Sequence, residues 1–191
     1  SPAYFGSWHL FPKPLVTPED LNPDAIVITH PHPDHFHPET ISRFNRDLPI
    51  FFPKFQSRYI DRTLEKLGFR NLNPTLFGAE VEITENFRFK FLQPQSLWED
   101  SSLLVTAGDW TWLNQSDAGS VLDDSQVPMN IDLLSTAFDQ GASGYPLTWE
   151  NIRSEVKPKL MELSKTRTLR LLPARADQLS AKYFLPFAGH W

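Results

Sequence analysis

Short apolar runs and segments of helical periodicity trade places along this chain. Residues 25–29 are apolar or β-branched throughout, which predicts a buried strand. Residues 38–46 follow as a helix, with Pro38 in its first turn and Ile41 and Phe44 on the inner face. Residues 49–52 predict a second buried strand. An amphipathic helix is predicted over 56–67, where Ile60, Leu64 and Leu67 share one stripe and Gly68 sets the end. The pattern then shifts to a period of two. Residues 79–84 and 87–92 predict a hairpin in which Val81, Ile83, Phe87, Phe89 and Phe91 alternate. Strands over 102–106 and 110–114 follow, joined by an Ala-Gly-Asp turn, and 131–136 reads as another buried strand. Thr148 is a candidate cap for a helix over 149–165, in which Pro158 predicts a kink or a restart. Residues 168–172 and 183–187 predict the last strands. Helices between the early strands and hairpins in the middle predict an α/β (α+β) domain with helices on the outer faces of mixed sheets.

Composition narrows the picture. A length of 191 residues suits one domain over 1–191, and 40% apolar with 21% charged residues is a globular mixture. A net charge of −5 argues against general nucleic-acid binding. No apolar run approaches the ~20 residues of a membrane span and no leader pattern is present, so a cytoplasmic protein without a membrane span is expected. The start at Ser1-Pro2-Ala3, without Met, reads as a processed or trimmed end. Cysteine is absent, which removes disulfides, thiolate zinc sites and iron–sulfur clusters held by this chain.

Histidine is unevenly spread: His30, His32, His35 and His37 fall within eight residues, directly after the first predicted strand. The carboxyl end of a strand is where open α/β folds gather ligands. Side chains two apart in an extended segment point the same way, so His30, His32 and Asp34 are expected to converge, with His35 joining from another angle. Pro31 and Pro33 are expected to hold the loop extended. Imidazoles beside a carboxylate suit zinc, iron, manganese, nickel or copper. His37, just ahead of Pro38, reads as a helix-entry residue rather than a ligand. Trp110 and Trp112 alternate on a strand and read as sheet packing.

The run Thr29-His30-x-His32-x-Asp34-His35 resembles the HxHxDH motif of the metallo-β-lactamase superfamily. Ser1-Pro-Ala-Tyr-Phe-Gly-Ser-Trp8, Pro18-Glu-Asp-Leu21, Gly141-Ala-Ser-Gly-Tyr-Pro146 and Leu185-Pro-Phe-Ala-Gly189 resemble its CMP-N-acetylneuraminate hydroxylase-like branch. The resemblance implies an αββα sandwich of two mixed sheets with outer helices. Strands normally precede the motif strand in that family, but only 24 residues precede residue 25 here. The first sheet is therefore expected to lack its first strands or to receive them from a separate segment.

The same resemblance implies two metal ions. His30 and His32 would hold one together with a mid-chain ligand. Asp34, His35 and a late histidine, matched by His190, would hold the other, and Asp117 would bridge them. The plainer readings are a turn acid for Asp117 and a terminal, exposed histidine for His190. The family's mid-chain histidine has no counterpart in 93–100, where Glu99 or Asp100 is the candidate substitute. A carboxylate in that place tilts preference from zinc toward iron or manganese. The expected function is a non-heme iron oxygenase, a hydroxylase of a small organic substrate, with Asp34 and Asp117 as its catalytic carboxylates. Members of that branch join this domain to a Rieske iron–sulfur domain, so an electron-donor protein is the expected partner. The alternative is a zinc or manganese hydrolase of phosphodiester, ester or lactone bonds, with Asp34 orienting the attacking water. A degenerate, non-catalytic domain is the third reading. Tyr145, in a rim loop over 141–146, is the candidate substrate contact.

Overall fold

The computed structural model of the protein describes residues 14–138 and 150–187. Its first sheet is built from β1 (Ile26–Val27), β2 (Ile50–Pro53) and β3 (Leu72–Thr75), all parallel and in that order. The short β1 is continued by the Ile28 N–H, which donates to the Phe51 carbonyl at 2.9 Å. The connections carry α1 (Pro38–Ile41) and α2 (Tyr59–Lys66). Ile60 and Leu64 of α2 are buried in one cluster with Ile28, Ile50 and Phe52. Full burial of such side chains is worth roughly 1.5–3 kcal/mol each. Gly68, at φ 84°, takes the left-handed conformation that ends α2 without a Cβ clash.

The second sheet has six strands in chain order: β4 (Glu80–Thr84), β5 (Phe87–Leu92), β6 (Ser102–Ala107), β7 (Trp110–Asn114), β8 (Leu133–Ala137) and β9 (Tyr183–Phe187). Pairing is antiparallel from β4 to β7 and parallel from β7 to β9. Strand alternation divides its core. Phe89, Phe91, Leu103 and Val105 face the first sheet and meet Val27 and Phe51. Leu92, Leu104, Leu113 and Leu134 face the other way and meet Leu179 and Ala176 at the end of α3 (Lys157–Gln178). The layers are thus helix, sheet, sheet, helix. The mixed character lies in the six-stranded sheet, and the three-stranded one is parallel throughout.

Among the described residues β1 pairs only with β2. Three strands therefore face six, and the space between the sheets keeps a cavity of about 340 Å³. Val27, Phe89, Leu103, Val105 and Trp112 line it, with His35 at its wall.

Three sequence expectations need correction, and one strand had no expectation at all. The predicted strand over 168–172 is helical and belongs to α3. Its Thr-Leu-Arg-Leu-Leu run is too short for periodicity to separate strand from helix, and the flanking Lys, Glu, Arg and Ala favour helix. That helix starts at Lys157, so Pro158 is a restart in the first turn, where its missing N–H costs nothing. Helix α1 stops at Ile41, because the N–H groups of Arg43 and Phe44 turn to the carbonyls three residues back. Strand β3 carries Pro74 and was not announced by the hydrophobic pattern; an outer strand tolerates the missing donor. The tryptophans pack as expected. Trp112 joins the intersheet core and donates Nε1–H to Ser135 Oγ at 2.7 Å, while Trp110 stacks on Tyr183.

Candidate metal centre

The histidine loop leaves the first sheet at Ile28 and is pinned at its first step. Ser101 Oγ, from the loop before β6, donates to the Thr29 carbonyl at 2.7 Å. His30 follows, completely buried. The loop does not stay extended as Pro31 and Pro33 suggest. The N–H groups of His35 and Phe36 both donate to the His32 carbonyl, at 3.0 and 2.7 Å, and Phe36 is buried in the helix-side core. This turn brings the His35 ring to 4.1 Å from that of His30, centroid to centroid, and His32 stands edge-on to His30 at 4.5 Å. His35 therefore joins His30 and His32, and Asp34 stands outside them beside His35.

Asp117 comes from the other sheet, at the carboxyl end of β7. Gln115 is held by its N–H to the Ser135 carbonyl at 2.8 Å and by its side-chain amide to the Gly119 carbonyl at 2.7 Å. Between them Ser116 adopts φ 48°, a left-handed conformation uncommon for a residue with a Cβ. Its N–H donates to Asn114 Oδ1 at 3.0 Å and its carbonyl accepts from Ala137 N–H at 3.0 Å. This sharp turn carries Asp117 to the three imidazoles.

The two carboxylate oxygens of Asp117 serve different histidines. Oδ2 lies 3.5 Å from His30 Nε2 and 3.5 Å from His32 Nδ1. Oδ1 lies 3.6 Å from His35 Nε2, which is also 3.6 Å from Asp34 Oδ2. His30 and His35 hold the Asp117 carboxyl far below the usual carboxylate range, against the opposing effect of its own burial. Burial pulls the His35 imidazole down, but Asp117, Asp34 and Asp100 outweigh it, and the net shift is up. Burial pushes the Asp100 carboxyl up, against the pull of His30.

The remaining candidates are dispersed. Glu99 turns away from the histidines: its carboxylate accepts the Ser57 N–H at 2.7 Å and the Ser57 hydroxyl. Its neighbour Asp100 is buried and lies 3.3 Å from Nδ1 of His30, the ring edge away from Asp117. His37 enters α1 with Nδ1 2.8 Å from Thr40 Oγ1, in the helix-entry role its sequence position suggests. His190 and Tyr145 lie outside the described residues. Ser101 and Ser116 shape the site without any motif to announce them.

The donors fit a metal ion. His30 Nε2 is buried and has no hydrogen-bond partner among the described residues, an unusual state for a ring nitrogen. One ligand atom each from His30, His35 and Asp117 lies within 4.8 Å of the others. Nitrogen and oxygen donors ~2.1 Å from one ion stand roughly 3–3.5 Å apart, close to the 3.5 Å that separates Asp117 Oδ2 from His30 Nε2 and from His32 Nδ1.

No family model matches the chain. Among curated proteins it is 28% identical over 204 residues to the cytidine monophosphate-N-acetylneuraminic acid hydroxylase of Xenopus laevis. It is 27% identical over 208 residues to a Mycolicibacterium smegmatis protein whose name assigns it to Rieske 2Fe-2S iron–sulfur proteins. These matches take in 100% and 99% of this chain, but 34% and 38% of the relatives. The chain thus spans about a third of the length of the curated relatives it matches. Among solved structures, the metallo-β-lactamase fold protein YhfI of Bacillus subtilis superposes with TM-score 0.52 at 20% identity, over 92% of this chain and 69% of that one. The chain has the metallo-β-lactamase fold. CmlA, a diiron β-hydroxylase from Streptomyces venezuelae, superposes with TM-score 0.58 at 19% identity, over 88% of this chain and 36% of that one. Within this metallo-β-lactamase fold the histidine loop and Asp117 leave facing strand ends of the two sheets. Among the described residues, no helix is long and apolar enough to cross a membrane.

Proposed function

We propose that this chain is the metal-binding domain of a non-heme iron oxygenase that hydroxylates a small organic substrate. The observation that carries the reading is the buried Nε2 of His30, without a hydrogen-bond partner among the described residues and facing a carboxylate that two further histidines share. One ion would be held by His30 Nε2, His32 Nδ1 and Asp117 Oδ2. A second would be held by His35 Nε2, Asp34 and Asp117 Oδ1, with His190 as the further ligand suggested by the sequence. With Glu99 on Ser57, the first half-site is two imidazoles and one carboxylate, a donor set that leaves positions open on iron(II). Bound iron supplies oxygen activation, where zinc would supply a water acidified toward neutrality.

The chain's own residues supply the rest. Buried His30 forms the closed wall of the site, while His32 and Asp34 are exposed and form the face open to a substrate. Asp34 Oδ2, 3.6 Å from His35 Nε2 and partly in solvent, stands on that open face. Similarity to the Xenopus laevis hydroxylase, at 28% identity, supports the hydroxylase reading. The chain has no cysteine for an iron–sulfur cluster, so reducing electrons would come from an electron-donor protein or a further part of the same polypeptide. The second reading, a zinc hydrolase, is favoured by one observation: three imidazoles reach Asp117, and imidazole suits zinc as well as iron.

Metal replacement separates the two. Iron-loaded protein with a chemical reductant is expected to consume oxygen, and His30→Ala to lose that uptake. Zinc-loaded protein that cleaves an aryl ester or phosphodiester under strict anaerobiosis would overturn the oxygenase reading.

A further inference from the structure

Asp100 is almost fully buried, and its surroundings account for it without making it a ligand. Its Oδ1 accepts the Ser101 N–H at 2.7 Å, and the Ser101 hydroxyl donates to the Thr29 carbonyl at 2.7 Å. The loop before β6 is thereby fastened to the strand end that carries His30. The fastening leaves Asp100 Oδ1 3.3 Å from His30 Nδ1, with Thr29 Oγ1 2.9 Å from the same nitrogen. The two ring nitrogens of an imidazole point in different directions. A carboxylate on the Nδ1 edge is therefore remote from anything held at Nε2, where Asp117 waits.

We propose that Asp100 is a positioning residue that fixes His30 as the Nδ1–H tautomer, so that Nε2 presents its lone pair to the metal. A carboxylate can only accept, whereas the Thr29 hydroxyl can accept or donate. The arrangement that satisfies both places the proton on Nδ1, shared between Asp100 and Thr29. With the Nδ1 edge occupied in this way, Nε2 is the nitrogen left for the metal, and among the described residues it has no hydrogen-bond partner. The same assignment explains how the chain manages without a histidine in 93–100: the carboxylate there supports the first imidazole instead of joining the ion.

This inference rests on the metal reading above, and its tests are separable from that reading. The first readout needs no metal and no variant of Asp100. A long-range proton–nitrogen correlation spectrum of the metal-free chain, with His30 assigned by loss of its signals in His30→Gln, should show the Nδ1–H pattern. A spectrum with the proton on Nε2 and none on Nδ1 overturns the proposal. The second readout is zinc and cobalt(II) binding. Asp100→Asn keeps an acceptor toward Nδ1 and is expected to bind within about threefold of wild type, with an unchanged cobalt spectrum. Asp100→Leu removes the carboxylate and leaves only the Thr29 hydroxyl at Nδ1, and it is expected to bind roughly 10–100-fold more weakly, the usual cost of losing such a partner. Asp100→Asn that loses one ion per chain would make Asp100 a ligand and overturn the proposal. Asp100→Leu that binds as wild type would overturn it equally. A chain that binds no metal in any form, yet shows Nδ1–H at His30, would sink the metal reading and leave the tautomer assignment standing.

Discussion

His30 Nε2 and Asp117 Oδ2 face each other across 3.5 Å, one from the three-stranded sheet and the other from the six-stranded sheet. An ion held between them would tie the two sheets together at their facing strand ends. Ligand that binds only the folded state stabilises by about 2.7 kcal/mol at a hundredfold excess over its dissociation constant. Zinc or iron(II) at that excess is expected to raise the melting temperature of the wild type by several degrees. Asp117→Ala should remove the rise. A metal-induced shift that survives Asp117→Ala would place the ion elsewhere.

Two residues near the cluster serve as controls. His37→Ala loses one contact to Thr40 and Glu99→Gln weakens the tie to Ser57. Each is expected to cost about 1 kcal/mol or less in urea unfolding and to leave metal affinity unchanged. A large loss of affinity in either would show that the ligands are assigned in the wrong register.

Ser116 gives a test of backbone geometry. Its φ of 48° is easy for glycine and a genuine outlier for a β-branched residue, and its buried hydroxyl has no hydrogen-bond partner among the described residues. Ser116→Gly is expected to match or exceed wild-type stability and to keep metal binding. Ser116→Val should lose about 1–2 kcal/mol or more and bind metal more weakly, because Asp117 can no longer be delivered by the same turn. Equal behaviour of the two variants would remove the turn from the account.

The pH dependence of the metal-free protein follows from His35. Its folded pKa is raised above the ordinary 6.5, so its stabilisation is fully present below about pH 6.5 and is lost as pH rises through the folded value. Metal binding runs the other way over the same window, since a ligand imidazole must give up its proton. Urea unfolding from pH 6 upward should show the wild-type advantage over His35→Gln shrinking, while metal affinity grows. An advantage that is flat with pH would contradict the charge pairing with Asp117 and Asp34.

The fold was legible in the sequence where burial enforces a pattern. The residues of β2, the α2 stripe of Ile60 and Leu64, and the alternation of Phe89 and Phe91 are read directly from hydrophobic spacing, because each has one face in a core. The 168–172 segment was misread because most of α3 is exposed and carries no apolar stripe to set a period. Strand β3 was silent for a related reason: with Pro74 and two asparagines around it, its pairing comes from β2 rather than from its own side chains. At the site, spacing singled out the histidines, and Asp117 was named from the family resemblance, while its Ser-Asp-Ala-Gly context alone reads as a turn acid. The turn at 33–35 that exchanges Asp34 for His35 depends on burial of Phe36, a tertiary contact that local spacing does not encode. The separate fates of Glu99 and Asp100 were likewise invisible, since one partner lies 42 residues away at Ser57 and the other across the sheets at His30.

The most direct test of the account is the metal content of the reconstituted chain. Wild-type protein exposed anaerobically to iron(II) and desalted should retain about two ions per chain by elemental analysis, the number its two half-sites are argued to hold. Asp117→Ala should retain markedly less, because the bridging carboxylate belongs to both. A wild type that retains none after iron(II), manganese(II) and zinc(II), or an Asp117→Ala chain that retains as much as wild type, would contradict the account at its centre.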